Sequence, residues 1–339
     1  MTLDIKPLDP HSAPEQHLAD YFAMLTAVVA ADTPEDQPPT FEGSIGRMRT
    51  PPIEHGPCRF WAAHLDGRLV GTARLALPDD TNTDIIHIEV YVHPDLRRQG
   101  IGTRLLSAAM PTALKSERST VFGLPMKPGS AGAHWVDRLG FEITLSKVIQ
   151  ALPTTARLTH QWDLPVPAGY RLAQWTGATP EALIDSYVVA RQAIQEAPVG
   201  RATYRDTDWT ADRVREADRL LSNDGVEQRV VVAIDDNTDE VAGVHVIHIN
   251  AYRREFGYVH DTCVLAVHRG HGLGLAMKGA MMRWLMDERP DLERIHTSTA
   301  TENTQMIRIN HALGYHTART LNWVETPVTR LAENLAARI

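Results

Sequence analysis

The chain has 339 residues, enough for two ordinary domains and too many for one compact core. Hydrophobic residues make up 43% and charged residues 22%, which excludes a disordered or fibrous chain. A formal net charge of −8 argues against a dedicated nucleic-acid binder, while leaving room for a local basic cluster that holds a small anion.

In chain order, Leu3–Pro7 predicts an opening strand and Pro14–Ala30 an amphipathic helix with a proline at its start. The N-terminus has no basic start and no apolar signal core, and the longest apolar stretch, Tyr21 to Ala31, is too short to span a bilayer. No membrane segment is therefore expected. Cys58 and Cys263 fall in different halves, so no stapling disulfide is expected and the chain reads as reduced and cytoplasmic. Phe60–His64 and Leu69–Leu77 predict a hairpin around Asp66-Gly67, and Ile85–Val92 is continuously apolar, as a central strand is. A glycine turn then opens a helix over Gly102–Ser116, and a strand and a short helix lead to Leu139-Gly140-Phe141. Residues 151–168 are proline-rich and unperiodic, which predicts a linker packed on the surface.

The pattern then restarts. Tyr170–Gln174 predicts a strand, Thr179–Gln195 a helix, and Arg229–Ile234 with Val241–Ile249 a hairpin around Asp235-Asp236-Asn237. Tyr258–Val267 predicts a central strand and Gly274–Glu288 a helix, with Leu313-Gly314-Tyr315 as the close. Gly71 and Gly243 lie 172 positions apart, and so do Gly100 and Gly272. A constant offset over that length is the mark of a duplicated domain rather than a short-period solenoid. The predicted division is residues 1–150, the linker at 151–168, and residues 169–339. Hairpins followed by a βαβ-like crossover give an α+β class leaning to α/β.

In each half a strand runs into a glycine-rich turn and a helix begins at once. The glycines let the backbone approach a ligand closely, and the helix start adds unpaired N–H groups and partial positive charge. Such a turn is suited to a pyrophosphate. Arg97, Arg98 and Arg269 flank the two turns and offer charge to phosphate. The same residues also fit a plain strand-to-helix turn with surface arginines. No Gly-Lys-Ser/Thr follows and no G-x-G-x-x-G fingerprint is present, so neither a P-loop nor a dinucleotide fold is indicated.

Val92-His93-Pro94-x-x-Arg97-Arg98-Gln99-Gly100-Ile101-Gly102 resembles the acetyl-CoA motif of the GNAT acyltransferase superfamily. His268-Arg269-Gly270-His271-Gly272-Leu273-Gly274 is similar. Asn303-x-x-Met306-Ile307-x-x-Asn310-x-x-Leu313-Gly314-Tyr315 resembles the family's second CoA-contacting segment. The resemblance covers nearly the whole chain, in a mycothiol synthase-like two-domain arrangement. It implies two tandem α/β (α+β) domains, each a mixed central sheet flanked by helices. It also implies that backbone groups of Val90–Val92 or of Thr262, Cys263 and Val264 meet the pantetheine arm. Amides of Arg98, Gln99, Gly100, Ile101 and Gly102, or of Gly270, His271, Gly272, Leu273 and Gly274, would hold the pyrophosphate, and Asn303 would contact the arm on the far side. Acetyl-CoA or another short acyl-CoA is the implied co-substrate. A small-molecule amine attacks the thioester directly in a ternary complex, and no metal takes part.

The chain departs from the family in places. The tyrosine acid seven residues after the motif asparagine is Asn310 here, and the first half has Gly129 and Val136 at those two positions. The second half is therefore the expected catalytic domain, and the first, which keeps its pyrophosphate turn, is expected to be degenerate, either binding CoA without reacting it or retaining only the fold. The family's strand glutamate is replaced by Ile86 and Tyr258, but Glu89 and Asp261 lie eleven residues ahead of the loop glycines, again 172 apart. A carboxylate in a central apolar strand is costly unless paired or used, so Asp261 is a candidate base. His260 is the other, because a neutral imidazole can take an ammonium proton directly or through water. Strict alternation puts His260 opposite Asp261, and a bulge in this strand would change that. Tyr315 and Tyr258 are candidate acids for the leaving thiolate. Cys263 offers an acyl-cysteine route, though a strand cysteine is usually a small core residue. His245, His248 and His260 lack close metal-site spacing, so no structural zinc is expected.

The leading expectation is N-acyl transfer from CoA to a small primary amine. A non-catalytic acyl-CoA sensor or interaction module is the alternative from another class, and O-acyl transfer, which needs stronger base catalysis, is a third. No motif names the acceptor, the acyl chain or an oligomeric state. The stretch Ala197 to Trp209 is expected to shape the acceptor site, with Arg201, Tyr204, Arg205 and Asp206 either reading charged groups or lying in a solvated loop.

Overall fold

A computed structural model describes residues 2–34, 36, 38–51, 55–79, 81–154 and 161–338. The chain forms two compact units: residues 1–145 with 201–205 and 321–339, and residues 146–200 with 206–320.

The first unit opens with strand β1 (Leu3–Leu8), helices α1 (Glu15–Asp32) and α2 (Phe41–Arg49), and the meander β2 (Cys58–Leu65), β3 (Arg68–Ala76), β4 (Ile85–Val92). Helix α3 (Ile101–Lys115) crosses to β5 (Thr120–Met126), parallel to β4, and α4 (Ala131–Arg138) leads into β6 (Glu142–Pro153). Leu105, Leu106, Ala109 and Ala113 recur at helical spacing on α3 and are buried on Val70, Ala73, Ile86 and Ile88 of the sheet. The second unit repeats this plan with β7 (Tyr170–Thr176), α5 (Ile184–Gln192), α6 (Ala211–Asn223), β8 (Val226–Asp235), β9 (Val241–Asn250) and β10 (Phe256–Val264). Helix α7 (Leu273–Glu288), β11 (Arg294–Ala300), α8 (Thr304–Ala312), β12 (His316–Pro327) and α9 (Val328–Ala336) close the chain. Strand order is β1-β2-β3-β4-β5-β12 in one unit and β7-β8-β9-β10-β11-β6 in the other, so the duplication read from the sequence is present in the fold.

The last strand of each sheet corrects the linear division. Residues 147–153 of β6 pair with β11 in the second unit, and residues 322–327 of β12 pair with β5 in the first. Each half thus supplies the final strand of the other half's sheet. Helix α9 follows β12 into the first unit, where Val328, Leu331 and Leu335 at i, i+3 and i+7 join the core. The expected linker is also corrected. Leu152 is fully buried within β6, and Trp162 is fully buried with its Nε1 donating to the Leu313 carbonyl at 3.0 Å. A proline-rich segment can still carry core residues, which is why composition alone misread it. Residues 155–160 of the predicted linker lie outside the described residues.

Candidate active site

In the second unit, β10 and β11 pair in parallel at Phe256–Tyr258 and then diverge. Beyond Tyr258 the register of β10 continues only on its β9 side, to Val264. The edge of β10 facing β11 therefore presents backbone donors and acceptors to a ligand, as an unpaired strand edge does. Tyr258 Oη donates to Ser298 Oγ at 3.0 Å across the start of the gap. The first unit has the same divergence, with β4 and β5 paired only over Ile85–Ile88.

The glycine turns lie at the open end of each gap. Gly100 and Gly272 have φ of +77° and +85° and stand immediately before α3 and α7, a left-handed conformation natural to glycine. The helix N-termini that follow leave their first amides unpaired. A side-chain carbon at Gly270, Gly272 or Gly274 would meet nothing within 4 Å, so this cradle is open to a ligand. Gly102, the counterpart of Gly274, is different. A carbon there would stand 3.6 Å from the Trp135 ring and 3.7 Å from Val90. Trp135 is held by its Nε1 donating to Thr103 Oγ1 at 3.1 Å, and the position matching it at the 174 offset is Ile309. An indole thus packs over the first turn where the second has free space.

Arg98 of the first turn sits at φ +66° where the second has Gly270 at +83°. A left-handed non-glycine residue costs about 1 kcal/mol or more. Arg98→Gly is expected to raise the unfolding temperature of the first unit by a few degrees, measured by calorimetry; a lower unfolding temperature would remove strain from the account.

Two of the flanking arginines, Arg97 and Arg269, have internal partners. Arg97 donates to both carboxylate oxygens of Asp32, each at 2.7 Å, and to the Val92 carbonyl. Arg269 donates to Glu196 at 2.5 Å and to the Val264 carbonyl at 3.0 Å. Both fix the turn to the strand before it, so any anion in the cradle relies mainly on backbone amides. Asn303 caps α8, its Oδ1 accepting from Met306 N at 3.1 Å. Asn310 is fully buried and donates to Gln150 Oε1 at 2.8 Å.

On the other face of β10 the register shifts between Val259 and Asp261, so His260 is a bulge residue. The bulge overrides strict alternation and places His260 Nδ1 3.2 Å from Asp261 Oδ2. Asp261 is 7% exposed and also accepts from Arg191 Nε at 2.8 Å. Burial alone would raise its pKa, but His260 and Arg191 outweigh burial and hold the carboxyl well below the ordinary range. Asp261 is thus a permanent anion, too weakly basic to take a proton itself. The His260 side chain is 38% exposed and its ring lies 4.6 Å from that of His248. Arg191 is missed by the sequence reading. It stacks 3.5 Å over the Trp209 ring and is 2% exposed, and only its place in an otherwise apolar stripe of α5 hints at it. In the first unit Glu89 pairs with Arg74 at 2.6 Å, an arginine from β3 rather than from a helix, and burial raises the Glu89 carboxyl.

Tyr315 is 4% exposed and burial pushes its phenol up, which weakens it as an acid. Cys263 is buried, with Sγ 3.3 Å from the Ala190 carbonyl, and burial raises its thiol, which disfavours a thiolate nucleophile. The Ala197–Trp209 stretch divides between the units. Arg205 bonds Asp84 and Thr81, Tyr204 packs on Phe122, and Arg201 bonds the Ile143 carbonyl, all in the first unit. Asp206 belongs to the second unit, where burial raises its carboxyl and it feels Lys147, Asp261 and His260. Among the described residues no group of three or more His, Cys, Asp or Glu is arranged to hold a metal, and no helix is long and apolar enough to cross a membrane.

Comparison with known proteins agrees with this layout. Residues 56–143 match an acetyltransferase (GNAT) domain, and residues 191–315 match the acetyltransferase (GNAT) family. The chain is 27% identical over 299 residues to a mycothiol acetyltransferase of Salinispora arenicola (strain CNS-205), covering 86% of this chain and 88% of the relative. In fold it is similar to a tandem GNAT protein from the clavulanic acid biosynthesis pathway, with a TM-score of 0.81 at 24% identity, over 96% of this chain and 99% of that one. A GCN5-related N-acetyltransferase from Sphaerobacter thermophilus gives 0.68 at 15% identity, over 96% of both chains.

Proposed function

Because the chain belongs to the GNAT acetyltransferases and carries two such domains in tandem, we propose that its second unit does the chemistry. It transfers an acetyl or other short acyl group from acyl-CoA to a primary amine of a small molecule, by direct attack in a ternary complex. The observation that carries this reading is the bulge in β10, which sets His260 against a buried, ionised Asp261 where the strand parts from β11.

The amides of Gly270–Gly274 face the pyrophosphate, and the free edge of Thr262–Val264 receives the pantetheine arm. His260 takes the proton that the amine nitrogen loses as it attacks, with Asp261 orienting the ring and stabilising its charged form, and Arg191 fixing Asp261. The first unit keeps its turn, but Trp135 packs on Gly102 and apolar residues replace the polar ones around its gap. We assign it a non-catalytic role.

The test is release of free thiol from acetyl-CoA in the presence of a panel of small amines. Turnover with any amine supports transfer. Tight CoA binding with no acceptor across the panel favours the acyl-CoA sensor instead.

A further inference from the structure

The duplication provides an internal control for each position of the fold. Around the cofactor-side face of the gap the first unit is apolar throughout: Ala73, Val90, Leu106, Val136 and Phe141. At the matching positions the second unit has His245, Thr262, Lys278, Asn310 and Tyr315. Of these, His245, Lys278, Asn310 and Tyr315 are buried, and burying four polar side chains where hydrocarbons suffice is costly, so the substitution calls for a use.

Lys278 is the centre of this set. It is 1% exposed, on α7 one turn beyond Gly274. From Leu273 it stands about 7 Å along the helix, the rise of about two strand residues, on a helix that returns alongside β10. That places it on the side of the sheet that carries His245 and Tyr315. On the β9 side its charge is felt by His245, whose Nδ1 lies 2.9 Å from Thr262 Oγ1. On the other side its Nζ lies 5.8 Å from the Tyr315 ring centroid. His245 Nε2 and Tyr315 Oη are both buried without a hydrogen-bond partner among the described residues.

Resting on the reading of the second unit as the transferase, we propose that Lys278 protonates the coenzyme A sulfur as it leaves. The amine nitrogen bonds the carbonyl carbon, the C–S bond breaks, and the electron pair departs on sulfur. The Lys278 ammonium gives that sulfur its proton, His260 has taken the proton of the amine, and solvent returns one and removes the other. Lys278 thereby fills the role of the tyrosine that Asn310 replaces.

The surroundings suit this. Burial pushes the Lys278 ammonium down to about 7, so it can both donate and reload near neutral pH. The other titratable groups facing α7 are His245 of β9, kept neutral by burial, Tyr315, raised by burial, and Arg229 of β8. Arg229 lies farther along the helix over Trp284 and is balanced by Glu227 and Glu288.

The experiment compares binding of CoA and of desulfo-CoA, in which hydrogen replaces the thiol, by calorimetry on the full chain from pH 6 to 9. The wild type is expected to prefer CoA by about tenfold between pH 7 and 8, where the Lys278 amine, pushed down to about 7, and a thiol of pKa about 8.5 share one proton. Lys278→Leu, which installs the first unit's residue, should bind both alike, and Lys278→Arg should keep a preference for CoA that no longer depends on loading of the lysine. An unchanged preference in Lys278→Leu overturns the proposal and leaves CoA binding by this unit standing. Failure of the wild type to bind either probe overturns the reading of the unit, and the proposal with it.

Discussion

Gly274→Glu is expected to lower CoA affinity by about two to three orders of magnitude while leaving the fold intact. A carbon at Gly274 meets no neighbour within 4 Å, and the residue lies in the first turn of α7 without a left-handed φ. Glutamate is well tolerated there, because a helix N-terminus favours negative charge. The same charge opposes a pyrophosphate a few ångströms away, at about 4 kcal/mol for a unit pair at 4 Å in a partly solvated site. Gln99→Glu places a carboxylate in the exposed first turn and should change affinity by less than about twofold. Calorimetry with CoA reads both. Full affinity in a folded Gly274→Glu protein would move the cofactor away from this turn.

His260→Ala should reduce the maximal rate of thiol release by about 10²–10⁴-fold, with little change in CoA affinity. His260 is on the opposite face of β10 from the cofactor-side set, and its half-exposed ring is not part of the core. Its loss therefore removes a proton acceptor without opening a cavity. Asp261→Asn should behave otherwise, because it strands the buried Arg191. Breaking such a pair costs about 3–5 kcal/mol, so this variant is expected to lose both stability and turnover. The sign follows from the lowered Asp261 pKa: its stabilisation is complete above the ordinary carboxylate pKa and is lost only as pH falls through the folded value. Equal rates for His260→Ala and the wild type at saturating amine would remove the imidazole from the mechanism.

The parts of the fold that repeat were legible in the sequence, since both the 172-residue offset and the alternation of the hairpin strands are local patterns. The exchange of β6 and β12 was not. Strand pairing partners are set by long-range packing, and either pairing satisfies the same hydrophobic pattern. Helix α9 escaped because it lies beyond Leu313-Gly314-Tyr315, the last element of the repeat. In the site, the carboxylates Glu89 and Asp261 were visible as polar residues in apolar strands, but their arginines were not, because Arg74 lies on a neighbouring strand and Arg191 on a helix. The bulge at His260 carries no glycine or proline to announce it, so the sequence left two faces open that the backbone resolves. Lys278 was hidden inside a predicted helix, where a lysine is ordinarily solvated, and only its fully buried position sets it apart.

The most direct measurement is a crystal structure of the full chain soaked with CoA. The account predicts electron density for the pyrophosphate on the amides of Gly270–Gly274 and for the pantetheine along Thr262–Val264, with the sulfur beside the His260 bulge and the Lys278 amine. Trp135 should remain packed on Gly102. CoA seated only at Gly100–Gly102, with Trp135 displaced, would contradict it.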